Sequence, residues 1–181
     1  MTSVLSLILM CGLSFSGKST VARQLGDALG ATVLSLDAIN AERGLYGGQG
    51  IPLEEWATTN RIADERVRDL LAAGRDVIVD DTGSPRFIRD GWRETARAQG
   101  AAFSLVWVQI DPELQRERVL VNRANKDRHD VIDEILSEHI ASFEPPVAED
   151  AITIDARAAL DPREVARLVA EIREASLGRR S

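Results

Sequence analysis

Cysteine occurs once in this 181-residue chain, at Cys11, so no disulfide can close within it and a reducing, cytoplasmic setting is expected. Aromatic residues make up only 4 % of the chain. Histidine occurs at His129 and His139 alone, at no recognised metal-ligand spacing, and both read as surface residues. Long apolar runs are missing. Val4 to Cys11 is too short to cross a bilayer and lacks a basic leader, so no membrane partner is expected. Positive charge is in deficit, 22 basic against 29 acidic residues for a net −7, which argues against a nucleic-acid coat protein. Lysine is nearly absent, found only at Lys18 and Lys126. What remains is a globular balance, 44 % hydrophobic and 28 % charged, sized for one domain over 1–181 acting as a monomer or homodimer.

Short apolar runs alternate with helical patterns. Val4 to Met10, Thr32 to Leu36, Val77 to Val79, Phe103 to Ile110 and Ala151 to Ile154 read as five strands. Helices are predicted over 18–29, closed by Gly30, and from Pro52 to Gly74, with Trp56, Asn60, Ala63, Val67 and Leu70 as its stripe. A third runs to Gly100 with Ser84 as N-cap and Pro85 in its first turn. Others run from Asp111-Pro112 to about Asn122, over Val131 to Phe143, and from Asp161-Pro162 onward. The alternation predicts an α/β fold, a parallel sheet with helices on both faces and ligands at the C-terminal strand ends. Candidate residues therefore follow strands: 12–20, Asp37, Asp80 to Thr82 and Asp111.

Gly12-Leu13-Ser14-Phe15-Ser16-Gly17-Lys18-Ser19 matches G-x-x-x-x-G-K-[ST] in full, between a predicted strand and a predicted helix. Glycines let the backbone curl so that its N–H groups converge on an anion, and the helix adds its positive end. In this reading Gly12, Ser14, Phe15, Ser16 and Gly17 cradle the phosphates of ATP or GTP. Lys18 reaches the β- and γ-phosphates, Ser19 ligates Mg²⁺, and Thr20 binds an α-phosphate oxygen.

Three classes use such a loop: a kinase, a GTPase-like switch and a non-catalytic nucleotide-binding module. Asp80-Asp81-Thr82-Gly83 fits the D-x-x-G of a switch. Asn125-Lys126-Asp127, however, places the aspartate one position early for N-K-x-D and lies a helix away from the strand it should follow. The kinase reading gains from Asp37, a carboxylate placed to orient an acceptor hydroxyl and take its proton; its alternative role is a helix N-cap. Asp80, after three apolar strand residues, is the candidate Mg²⁺ carboxylate, with Asp81 able to substitute. Arg116 and Arg118 read as solvated residues paired with Glu113 and Glu117. Arg123 and Arg128, where the chain turns polar, read as a lid over about 123–130 whose guanidiniums neutralise transferring phosphate.

Gly12 to Thr20, Asp37, the Val77 to Thr82 strand, the Arg118…Arg123 segment and Phe143-Glu144-Pro145 together resemble the P-loop kinases of the zeta-toxin, gluconate-kinase and polynucleotide-kinase group. Small bacterial antibiotic phosphotransferases are similar in size and plan. The resemblance implies a P-loop NTPase fold with strand order 2-3-1-4-5, a mobile lid containing Arg123, Asp37 as catalytic base, and Mg²⁺-dependent transfer to a hydroxyl. With an antibiotic as acceptor, the protein would be a resistance enzyme. Polynucleotide and sugar-acid kinases are the alternatives within the group. Asn40 stands where a polynucleotide kinase carries an arginine, which with the net acidity disfavours nucleic acid.

The acceptor pocket is expected between the glycine-rich segment after Asp37 and the helix after Pro52, with Tyr46, Trp56, Asn60, Arg61, Asp81, Arg86 and Arg89 as candidates. Trp56 equally suits the core.

Overall fold

The computed structural model describes residues 4–178; residues 1–3 and 179–181 of the expected domain lie outside it. In chain order its elements are β1 (Ser6–Cys11), α1 (Lys18–Leu29), β2 (Thr32–Ser35), α2 (Leu36–Glu42), α3 (Leu53–Ala72), β3 (Val77–Asp80), α4 (Arg86–Ala98), β4 (Ala102–Gln109), α5 (Pro112–Asn125), α6 (Asp133–Ser142), β5 (Ile152–Asp155) and α7 (Pro162–Gly178). The strands form one sheet in the order β2-β3-β1-β4-β5, and every pairing is parallel.

β1 lies at the centre because it can be buried on both faces. Leu7, Ile8, Leu9, Met10 and Cys11 are each 0 % exposed. Leu7, Leu9 and Cys11 join Ala63 and Val67 of α3 and Trp92 and Ala96 of α4 in one core. Ile8 and Met10 join Val21 and Leu25 of α1 and Leu168 and Ile172 of α7 in the other. Each large apolar side chain removed from water contributes about 1.5–3 kcal/mol, so this strand anchors both layers. The phosphate-loop segment, which leaves its end, inherits that rigidity. A third, smaller cluster of Phe15, Val119 and Val131 ties the loop to α5 and the chain beyond it.

Several local expectations shift. β2 ends at Ser35, whose side chain accepts from the Ala38 N–H and caps α2. Asp37 is therefore a first-turn residue and not the cap. The buried stripe of α3 is Thr59, Ala63, Val67 and Leu71, one notch round from the predicted one. α4 takes Pro85 as its N-cap residue, after a cis Ser84-Pro85 bond, and the Ser84 hydroxyl instead accepts from the Glu144 N–H at 2.9 Å. α5 continues through Asn125 to a left-handed cap at Lys126, so the non-helical excursion covers 126–132 and not 123–130. This also removes Asn125 and Lys126 from any strand end, as a guanine-reading element would require. No helix among the described residues is long and apolar enough to cross a membrane.

Candidate active site

The phosphate loop joins β1 to α1. Gly12 is obligatory: a Cβ there would lie 2.5 Å from the Val108 carbonyl oxygen. Phe15 (φ 65) and Gly17 (φ 97) take left-handed conformations, which curl the chain. The loop's carbonyls are taken up from outside. Gln115 Nε2 donates to the Ser14 oxygen at 2.9 Å, and Arg118 Nη1 donates to the Phe15 and Ser16 oxygens at 2.9 and 3.0 Å. The Gly12 and Ser16 N–H groups donate to the Thr82 and Leu13 oxygens at 3.0 and 3.2 Å. With the other carbonyls tied to α5, the remaining loop N–H groups are left to an anion. α1 begins with no side-chain cap and no acidic residue in its first turn, so its leading amides and positive dipole end are open to an anion. The Ser16 hydroxyl is buried with no partner among the described residues, the orphaned donor a bound phosphate would satisfy.

Lys18 Nζ donates to the Leu13 oxygen at 2.9 Å. Burial lowers the Lys18 pKa, while the carboxylates of Asp80, Asp37 and Asp81 act to raise it. Three acids from the ends of β2 and β3 thus converge on one ammonium. Asp80 is buried, and burial holds its carboxyl above the ordinary range, opposed first by a hydrogen bond from Ser19 and then by Lys18. Burial pushes Asp81 up to about 6, against the pull of the Thr82 and Gly83 backbone N–H groups. Asp37 is exposed, its Oδ1 3.8 Å from where a Gly47 Cβ would stand. It therefore faces the glycine-rich segment.

Ser19 and Asp80, hydrogen-bonded to each other, are hard oxygen donors that could hold a magnesium ion carried on phosphates. No cluster of three or more His, Cys, Asp or Glu able to hold a metal by itself occurs among the described residues.

The two expected lid arginines part company. Arg128 lies over the Phe15 ring, 4.5 Å from its centroid, and its charge is felt at both Lys18 and Asp80. Arg123 is instead held by Asp130 at 3.0 Å, Asp133 at 2.7 Å and the Val131 oxygen at 3.0 Å. It braces the excursion against α5 and does not stand over the phosphate loop. Arg118, read as a solvated residue, is part of the loop's outer scaffold.

A cleft of about 800 Å³ opens between α3, α4 and α6. Of the candidate acceptor residues, Trp56, Asn60, Arg61 and Asp81 line it; Tyr46 and Arg86 do not. Trp56 serves the core as well, packing against the cluster beneath β1. Tyr46 stacks on His129 with ring centroids 4.3 Å apart. Arg86 pairs with Asp90 at 3.6 Å. Arg89 is fully buried and belongs to the structure beneath the cleft, bonded to the Glu149 carboxylate. Arg43, near Asn40, is engaged by Glu55 and Thr59.

His139 is the main residue missed. It is half-buried in the cleft wall; burial lowers its pKa, and the nearby Glu138 and Asp37 act to raise it. Its spacing of four from Phe143 on the same wall was the available signal. Trp92 and Phe87 of α4 also line the wall and are not among the candidates named from the sequence.

The family model of the AAA domain matches residues 7–146. No curated protein matches the sequence significantly. Among solved structures, the gluconokinase from Sinorhizobium meliloti 1021 is 21 % identical at a TM-score of 0.65, covering 96 % of this chain and 98 % of that one. Kti12 from Chaetomium thermophilum, in complex with ADP-AlF3, is 21 % identical at a TM-score of 0.72, covering 93 % and 98 %. The Mycobacterium tuberculosis APS kinase CysC, in complex with AMPPNP and APS, is 19 % identical at a TM-score of 0.65, covering 95 % and 97 %. The fold is that of P-loop kinases.

Proposed function

The chain belongs to the AAA domain family of P-loop proteins, and from that premise we propose that it is a Mg²⁺-dependent phosphotransferase. It moves the γ-phosphoryl of ATP to a hydroxyl of a small metabolite or antibiotic. The observation that carries this reading is the convergence of Lys18, Asp80, Asp37 and Asp81 beside an uncapped helix start, with a cleft opening at Asp81. A switch or a plain binding module has no use for an acceptor cleft there. Adenine nucleotides accompany the Kti12 and APS kinase structures, which favours ATP over GTP as donor. A cytoplasmic setting agrees with that donor.

The residues divide the work. The loop amides and the α1 terminus grip the phosphates, and Lys18 releases the Leu13 carbonyl to reach the transferring group. Magnesium, held through Ser19 and Asp80, would neutralise phosphate charge. Asp37 orients the acceptor hydroxyl and takes its proton as the oxygen attacks phosphorus. The bond from the γ-phosphorus to the bridging oxygen then breaks, and the electron pair leaves with ADP. Arg128, on the Phe15 ring beside the loop, stabilises the charge that spreads over the phosphoryl oxygens.

The test is a pair of variants. Asp37→Asn should keep ATP binding by calorimetry while transfer falls about 10²- to 10⁴-fold. Lys18→Ala should weaken binding and transfer together. Unchanged transfer in Asp37→Asn would reject the base, and unchanged nucleotide binding in Lys18→Ala would reject the phosphate site.

A further inference from the structure

The cleft differs from its two ends. At the end near the transfer point it is polar: Asp81, Thr82 and His139 line it there, and both Asp81 and His139 feel the charges of Lys18 and Asp37. Beyond that end the wall is made by Leu53, Trp56, Phe87, Ile88, Trp92 and Phe143. Trp92 and Trp56 continue into the core under β1, so this wall is fixed by packing. Phe87 is 70 % exposed, an apolar ring left against solvent at the rim.

The charges in and around the cleft are unsuited to an anion. Among the described residues that line it, the one arginine or lysine is Arg61, which is exposed and paired with Glu65 at 2.8 Å. Its acids are Asp81 and Asp64, the latter taking up Arg68 at 2.6 Å and the Thr95 hydroxyl at 2.5 Å. The neighbouring guanidiniums are committed elsewhere, Arg43 to Glu55, Arg86 to Asp90 and Arg89 to Glu149. A carboxylate, sulfate or phosphate on the acceptor would meet carboxylates and tryptophan faces, with only the exposed, Glu65-paired Arg61 to receive it. Of the other polar groups in the lining, Asn60 Nδ2 donates to the Trp56 oxygen at 2.9 Å and the Ser142 hydroxyl to the Glu138 oxygen at 2.7 Å, while the Ser84 hydroxyl accepts from the Glu144 N–H at 2.9 Å. A polyol would therefore leave most of its hydroxyls unbonded against the aromatic wall.

We propose that the acceptor is a predominantly apolar, ring-bearing alcohol with no anionic group. Its reacting hydroxyl sits at the Asp81 and His139 end, and its body lies along the Trp56, Trp92 and Phe143 wall. The cleft volume of about 800 Å³ suits a drug-sized body. The inference rests on the phosphotransfer reading of the same site, and it sets this protein apart in substrate from the gluconokinase and APS kinase whose fold it shares.

The experiment uses the full chain with three acceptors: 4-phenylbutan-1-ol, gluconate and a dinucleotide with a free 5′-hydroxyl. Nucleotide binding is measured first with Mg-AMPPNP by calorimetry. Acceptor binding is followed by tryptophan fluorescence with AMPPNP present, and transfer from ATP by the mass gain of one phosphate. The aryl alcohol is expected to bind and to be phosphorylated at least ~100-fold more efficiently than gluconate or the dinucleotide. Phe87→Asp, at an exposed rim position that the fold tolerates, should lower aryl-alcohol binding about tenfold or more. Preference for gluconate or the dinucleotide, or no aryl-alcohol binding at millimolar concentration while AMPPNP binds, overturns the inference and leaves phosphotransfer standing. Absence of AMPPNP binding overturns the phosphotransfer reading itself.

Discussion

Replacing Arg89 by methionine should both destabilise the protein and loosen its cleft. Arg89 is fully buried, and its Nε and Nη2 reach the Glu149 carboxylate at 3.0 and 2.5 Å. Its Nη1 holds the Gly83 and Glu144 oxygens, each at 2.8 Å. It thus joins the turn that carries Asp81 and Thr82 to the end of α6 that carries Phe143. Hydrogen bonds from Arg89, and then from Arg93, pull the Glu149 carboxyl from an ordinary 4.5 down to about 2. The Glu149 side chain is only 4 % exposed, so solvent screens little of that effect. A depression of this size corresponds to on the order of 3 kcal/mol of stability at neutral pH. Because the folded value lies below the unfolded one, the contribution is present above pH ~4.5 and is lost as pH falls towards ~2.

Arg89→Met leaves Glu149 buried with Arg93 alone and strands two carbonyl oxygens. The expected cost is about 3–5 kcal/mol at pH 7. Urea unfolding at pH 7 and at steps down to pH 3 reads the difference from wild type, which should shrink as the acid range is entered. Arg89→Met combined with Glu149→Leu should recover part of the loss, since no charge is left buried. A single-variant cost under ~1 kcal/mol at pH 7, or one that stays constant down to pH 3, would refute the reasoning.

Two other expectations follow from the same geometry. Asp81 carries the opposite sign: burial raises its pKa to about 6, so its charged form opposes folding above that pH. Asp81→Asn should therefore raise the urea midpoint at pH 7.5 by the equivalent of about 1–2 kcal/mol, discounted for its partial exposure, and the gain should vanish below pH ~4. Gly48 lets the glycine-rich segment dock on the chain after α5: a Cβ there would lie 2.2 Å from the Asp130 oxygen, and the Gly48 oxygen accepts from the Ile132 N–H at 3.0 Å. Gly48→Ala should part the two segments and speed tryptic cleavage at Lys126 and Arg128 severalfold; an unchanged digestion rate would show that the docking does not protect them.

The architecture was legible because its signals are local. Five apolar runs separated by capped helices imply a parallel sheet wherever they meet, and the fully buried apolar run Leu7 to Cys11 of β1 lies at its centre with a core on each face. The phosphate loop was legible for the same reason, since its amides, its lysine and the start of α1 are contiguous in the chain. Asp80 stands at the end of β3, as the sequence placed it, whereas Asp37 stands in the first turn of α2. Asp111-Pro112 also capped α5 as expected, the Asp111 carboxylate accepting from the Leu114 N–H at 2.9 Å.

The arginines were not legible. With twenty of them in the chain, local sequence cannot say which guanidinium finds which oxygen. Arg123 and Arg128 sit in similar polar surroundings, yet one is held by Asp130 and Asp133 and the other lies on Phe15. Arg118 looked like surface until α5 was laid against the phosphate loop. His139 and Trp92 become cleft residues only because α6 and α4 both border the cleft beside Asp81 at the end of β3. Residue type and short-range spacing are enough to specify a backbone that grips polyanions, because hydrogen bonds within a loop and a helix dipole act over a few neighbouring residues. Which side chains line the cleft, and with what net charge, depends on contacts such as Arg89 to Glu149, which lie 60 residues apart in the chain and are brought together only by sheet and helix packing.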